Sequence, residues 1–255
     1  MIHKIPSFRK IKTWLGELIN FICEIINRVV KVGVIVFPGS NCDRDMFHVL
    51  TDVFHLNTQY FWHENGLPLD IDAVVLPGGF SYGDRLRAGV IAANSPVIKD
   101  VKKLADKGIP ILGVCNGFQI LVESNLLPGV LLKNNSLNFM CEWVNLIVKN
   151  NKTPFTSKLE LNQKIPIPIA NGEGRYYVNK KLMNALKKNK QIVFTYENYV
   201  NGSAEQIAGV CNNDGNVVGM MPHPERAAER LINPFDNKPS SLIFESLVQK
   251  LGIKK

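Results

Sequence analysis

The chain has 255 residues, room for one generous α/β domain or at most two small ones, and 45% hydrophobic with 20% charged residues is an ordinary globular composition that argues against disorder and fibrous repeats. A net charge of +8 invites a nucleic-acid partner, but residues 1–30 carry +3 of it and the rest is spread in short lysine clusters without interleaved aromatics, which points to a solvated basic surface and no nucleic acid. The five cysteines are widely spaced with no CxxC pair, so no zinc cage is expected, and without a convincing secretory signal they are expected to be reduced in a cytoplasmic protein.

Residues 1–30 read differently from the rest. Ile11, Trp14, Leu15, Leu18, Ile19, Ile22, Ile25, Ile26 and Val29 recur at helical spacing, and Ser7 can cap the helix. Glu17, Asn20, Glu24 and Asn27 interrupt the apolar face, against both a membrane span and a signal peptide. The segment is an amphipathic N-terminal extension, or the result of a start assigned too early. The folded domain is expected over residues 31–255.

From Lys31 onward, strand alternates with helix. VGVIVF (32–37) reads as a buried strand ended by PGSN, with a helix from Asp43 to about Leu56. TQYFWH (58–63) and AVVLPGG (73–79) are the next strands, residues 95–107 a helix stopped by Gly108, IPILGV (109–114) a strand and FQILVESN (118–125) a helix. This alternation predicts an α/β fold built on an open, doubly wound, mostly parallel sheet. Further strands are expected at 143–149, 164–170, 192–197, 207–212 and 217–221, with a last helix over 239–251. Residues 127–142 and 150–163 read as loops, and 171–176 as a Gly-rich turn.

Three segments carry chemistry. In LGVCNGFQIL (112–121) a strand runs into Cys115 between Gly113 and Gly117, and a helix follows. That is a nucleophile elbow in cysteine form, in which glycines avoid Cβ clashes and the helix N-terminus favours a thiolate and an oxyanion. A packed core cysteine beside a tight turn would give the same local pattern. In GMMPHPER (219–226), Pro222 and Pro224 bracket His223. A chain bent there sets Glu225 behind the imidazole, making His223 a base for a thiol. In LPGGFSYGD (76–84) a strand ends in two glycines whose amides can approach a substrate closely. Each pattern alone is weak. Together, each at the end of a predicted strand, they point to one site.

Taken together these segments resemble class I glutamine amidotransferases, a flavodoxin-like family. Their wording, with VFPGSNCDRD (36–45), FWHEN (61–65), ANGEGRYY (170–177) and NGSAEQIAGVCNNDGNVVGMMPHPER (201–226), is similar to the glutaminase subunits of phosphoribosylformylglycinamidine synthase (PurQ type). The resemblance runs from about Val32 to Gln249. It implies that Cys115 attacks the glutamine carboxamide, His223 shuttles the proton and Glu225 holds His223. It further implies an oxyanion hole at Gly79 (or Gly78) and the amide of Asn116, with Gln119 near the amino-acid end of L-glutamine. Ammonia would pass to a large synthetase subunit, with a small third subunit bridging the two. ATP and magnesium would sit on the synthetase, leaving this chain without cofactor or metal. One departure stands out: where the family usually reads His-Gly-Glu-Gly, this chain has Asn171-Gly172-Glu173-Gly174. Cys42 lacks the flanking glycine elbow and is not the expected nucleophile. A glutaminase of another pathway, a stand-alone cysteine hydrolase and a non-catalytic glutamine sensor are the alternatives.

Overall fold

The structure is a computed structural model that describes residues 30–235 and 240–253. The helix expected within the first thirty residues lies outside the described residues. A nine-stranded sheet forms the centre. Its first half is parallel and runs β2 (Asn57–Trp62), β1 (Lys31–Val36), β3 (Ala73–Leu76), β4 (Ile111–Val114), β11 (Val217–Met220). Its second half is antiparallel and continues β10 (Ile207–Cys211), β9 (Ile192–Tyr196), β6 (Met140–Val148), β7 (Lys164–Asn171). The expected open, doubly wound sheet is present, and the parallel half is the part that the strand–helix alternation foretold.

The inner parallel strands are short apolar runs because both of their faces are covered, whereas the edge strand β2 is largely exposed. Every residue of β3, β4 and β11 is buried, as strands between helical layers require. The chain steps one way from β1 to β2 and the other way from β3 to β4. Right-handed crossovers therefore place the intervening helices α1 (Asp43–His48) and α2 (Val97–Asp106) on opposite faces. Helix α2 forms because Val97, Ile98, Val101, Leu104 and Ala105 make one buried stripe, and it ends before Gly108, whose φ is +77°. The helix α3 (Asn116–Glu123) follows β4 with Cys115 as the only residue between them.

Four elements depart from the expectation. The helix after β1 is α-helical only to His48 and continues as a π-helical turn, Val49–Val53. The loop expected over 127–142 and the turn over 171–176 contain β5 (Val130–Leu132) and β8 (Arg175–Tyr177), which pair as a separate two-stranded ribbon. Helix α4 (Lys180–Lys188) buries only Met183 and Leu186 and hides in the sequence as a lysine cluster, although Asn179 caps it by accepting from Leu182 N at 2.9 Å. A final helix, α5 (Ser241–Lys250), closes the described chain.

The consequence for function is positional. β1, β3, β4 and β11 are neighbours and parallel, so their carboxyl ends share one edge of the sheet. The segments leaving those ends bring Cys42, Gly78 and Gly79, Cys115, and His223 to that edge.

Candidate active site

The elbow after β4 is built around a strained residue. Cys115 has φ 49° and ψ −107°, a region that costs a non-glycine residue about 1–3 kcal/mol. It is held there by bonds on both sides: Cys115 N donates to Met220 O at 2.8 Å, and Gln119 N donates to Cys115 O at 3.1 Å. The flanking glycines serve close approach rather than the turn itself. A Cβ on Gly117 would lie 1.9 Å from Leu76 O, and one on Gly113 would lie 2.5 Å from Leu121 Cδ1. The sharp turn is made by Cys115, and the glycines let β3 and α3 close around it.

β11 lies beside β4 with Met220 opposite Val114, so the residues after Met220 emerge next to Cys115. His223 N donates to Pro168 O at 2.9 Å. Pro224 then starts a 3-10 turn, Pro224–Arg226, which supplies the bend that an extended His-x-Glu would lack. It folds Glu225 back so that Oε1 lies 2.6 Å from His223 Nδ1. Both side chains are buried, as is Cys115. Burial alone would lower the imidazole pKa. The charges of Glu225 and Cys115, with hydrogen bonding to the thiols of Cys115 and Cys42, outweigh it and raise the pKa well above its ordinary value. Nε2 makes no full hydrogen bond within the protein, leaving it for the two nearby thiols.

That a second thiol, Cys42, lies beside His223 was not visible in the sequence. Cys42 Sγ, His223 and Glu225 have ligand atoms within 4.8 Å of one another, the one such cluster among the described residues with the donor types of a metal site. Cys42 is held away from solvent: Arg226 Nη2 donates to its sulfur at 3.1 Å while Arg226 Nε donates to Asp45 Oδ2 at 3.1 Å. Burial raises the Cys42 thiol pKa, and His223 and Arg226 only partly offset this. Gly78 sits at the centre of the group. A Cβ there would meet His223 Cε1 at 2.7 Å, Cys42 Sγ at 3.1 Å and Cys115 Cβ at 3.4 Å.

A pocket of about 260 Å³ opens onto Cys115 and is lined also by Gly79, Gln119, Asp84, Glu173 and Lys133. Gly79 has φ +146° and reaches the loop after β1 through a bridge with Ser40. The backbone N–H of Asn116 is at the first position of α3 and has no intrahelical acceptor. Its side chain points elsewhere: Oδ1 accepts from Ser81 N at 3.1 Å and Nδ2 donates to Gln119 Oε1 at 2.8 Å. Gln119 Nε2 donates in turn to Glu173 O at 2.8 Å, tying the elbow helix to the 171–174 turn. The acidic pair on the pocket wall was also missed. Burial and the nearby Glu173 push Asp84 up to about 6. A thiol at a strained elbow, an imidazole held by a carboxylate and free amides at a helix start can together attack a carbonyl and hold the oxyanion that forms.

Comparison with known proteins narrows what this edge belongs to. Residues 29–249 match the family of CobB/CobQ-like glutamine amidotransferase domains. A chain in the structure of PurLQS from Thermotoga maritima is 45% identical, over 88% of this chain and 100% of that one, with a TM-score of 0.80. The glutaminase domain of Trypanosoma brucei CTPS with bound acivicin shares the fold at 14% identity, over 87% of this chain and 94% of that one, with a TM-score of 0.56. With its family matched over nearly the whole described domain, the chain belongs to the glutamine amidotransferases of the CobB/CobQ-like type.

Proposed function

We propose that this chain is the glutaminase subunit of a phosphoribosylformylglycinamidine synthase and that it hydrolyses L-glutamine to glutamate and ammonia. Cys115 Sγ attacks the carboxamide carbon and its proton moves to His223 Nε2. The oxyanion is held by the N–H groups of Gly79 and Asn116. As the tetrahedral adduct collapses, His223 returns a proton to the leaving nitrogen, ammonia departs and a γ-glutamyl thioester remains. Water, with its proton taken by His223, cleaves the thioester to glutamate and free thiol. Glu225 keeps Nδ1 of His223 engaged throughout and stabilises the imidazolium. Gln119 faces the amino-acid end of the substrate.

The observation that carries the chemistry is the Cys115 elbow facing an imidazole whose Nδ1 is 2.6 Å from Glu225. The pathway rests on the 45% identity to a chain of PurLQS along that chain's whole length. On this reading ammonia passes to a large synthetase subunit, which makes formylglycinamidine ribonucleotide from formylglycinamide ribonucleotide and ATP, and a small third subunit bridges the two. ATP and magnesium belong to the synthetase, and the work is cytoplasmic. No helix among the described residues is long and apolar enough to cross a membrane.

The test is glutamate release from glutamine by the chain alone and with the synthetase subunits, beside Cys115→Ala. Stimulation by the synthetase that vanishes in the variant is expected. Fast release without a partner would instead indicate a stand-alone hydrolase, and no release in a folded, associated mixture would remove the glutaminase reading.

A further inference from the structure

The reaction proposed above uses one of the two thiols beside His223. The other, Cys42, is buried and takes no step in it. The two sulfurs arrive from different strands. Cys42 follows β1, and its N–H donates to Gly78 O at 3.2 Å, just beyond β3. Cys115 follows β4. Its Sγ donates to Ala170 O at 3.6 Å, at the end of β7 where Pro168 O holds His223 N. The Cβ position of Gly78 lies within 3.4 Å of His223, Cys42 and Cys115. Glycine at 78 therefore leaves the space between the three side chains open.

The donors and their surroundings are those of a metal site. Two thiolates and an imidazole suit zinc, whereas magnesium and calcium take oxygen ligands. A metal-bound histidine almost always has its second ring nitrogen held by an outer acceptor such as a carboxylate, and Glu225 Oε1 lies 2.6 Å from His223 Nδ1. The Cys42 sulfur already accepts from Arg226 Nη2 at 3.1 Å, a donor that favours its thiolate. The charges also match. Two thiolates and Glu225 against Arg226 leave two negative charges, which a dication neutralises.

We propose that Cys115, Cys42 and His223 Nε2 form an inhibitory binding site for a thiophilic divalent cation of the zinc class, entered from the pocket onto which Cys115 opens. The cation occupies the sulfur lone pair that would attack glutamine and the imidazole lone pair that would take the proton. Two metal–sulfur bonds and one metal–nitrogen bond form, each thiol releases its proton to solvent, and no atom changes oxidation state. Binding therefore tightens as pH rises. The inhibitory effect rests on the glutaminase reading above, whereas the cation site rests on the three donors. No CxxC pair signals it, because its ligands come from three separate strand ends.

The test follows glutamate release by the full chain in complex with its synthetase, at constant magnesium and increasing, buffered free zinc. The parent is compared with Cys42→Ala, which is expected to keep most of the parental rate without zinc. Losing an outer-shell partner costs about 10–100-fold in metal affinity, and losing a ligand should cost at least the upper end of that range. Half-inhibition of Cys42→Ala is therefore expected at about a hundredfold higher free zinc, and half-inhibition at the parental concentration overturns the proposal. If Cys42→Ala does not fold, Cys42→Ser replaces it, since a neutral hydroxyl is a poor zinc ligand. A second readout needs no activity. Cobalt(II) added to the full chain reports bound thiolates by its sulfur-to-metal charge-transfer absorption. Cys42→Ala and Cys115→Ala should each lose about half of the band that depends on these two residues. A parental spectrum in either variant overturns the site. If the parent releases no glutamate in any mixture, the glutaminase reading has failed and the cobalt spectra decide the site by themselves.

Discussion

Two cysteines face the same histidine from two strand ends, and their differences show what separates a nucleophile from a bystander. Cys42 lies just beyond the loop after β1, with φ −96° and ψ 6°, an unstrained backbone that leads into a short helix. Its sulfur accepts from Arg226, and it does not line the pocket. Cys115 sits directly at the end of β4 in a left-handed, strained conformation, and it opens onto the pocket. Proximity to His223 is common to both. Access and a backbone that aims the sulfur at the substrate belong to Cys115 alone.

The largest expected effect breaks this comparison outright. Cys115→Ala should lower glutamate release about a thousandfold or more, because the covalent step is lost, whereas Cys42→Ala should keep most of the parental rate. A steady-state assay of both variants with the synthetase present decides, and equal losses would make the two thiols partners. Next comes the imidazole that serves them. Glu225→Gln should lower kcat by about 10²–10⁴-fold, since the carboxylate no longer stabilises the imidazolium. The same change acts on stability. A histidine whose folded pKa is raised stabilises the fold fully below its unfolded value of 6.5, and that contribution is lost as pH rises through the folded pKa. In Glu225→Gln the contribution should be smaller and its loss should be complete at lower pH, as denaturant midpoints measured between pH 5 and pH 9 will show.

The elbow itself can be tested through its packing. Gly117→Ala places a methyl 1.9 Å from Leu76 O, a backbone atom of β3 that cannot step aside. A loss of about 3 kcal/mol in unfolding free energy is expected, in the range of overpacked cores. If the variant unfolds like the parent, α3 has room to shift, and the strain at Cys115 is not held by this contact.

Most of the parallel half was legible in the sequence, for a physical reason. Its inner strands β1, β3, β4 and β11 are largely buried, so each reads as an unbroken apolar run, and each ends in glycine or proline where the chain must turn: PGS, PGG, GVCNG and MPHP. The site residues sat at those punctuation marks. What was not legible depends on strand order rather than local pattern. Cys42 reaches His223 only because β1, β3, β4 and β11 are neighbours, and nothing in SNCDRD signals that adjacency. Asp84 and Glu173 come from the two halves of the chain and meet only across the folded pocket. The β5–β8 ribbon and the lysine-rich α4 escaped because three-residue strands and a helix with two buried side chains carry too little periodicity to be seen.

The acidic pair gives the smallest expected effect, and it tests the wall of the pocket onto which Cys115 opens. Asp84 is lifted from 3.8 to about 6 by burial and by the charge of Glu173. Its ionised form is therefore less favourable in the folded chain than in the unfolded one. Between about pH 4 and pH 6 the folded state binds more protons at this site, so stability should fall as pH rises across that window. Asp84→Asn removes the titration and leaves Glu173 without a like-charged neighbour. The variant should lose this part of the pH dependence and be modestly more stable than the parent at pH 7, by chemical denaturation. If its slope matched the parent's, Asp84 would be titrating as a solvated carboxylate. The pocket wall would then be wetter than its packing around Cys115 indicates, and the contrast between an accessible Cys115 and a sealed Cys42 would narrow.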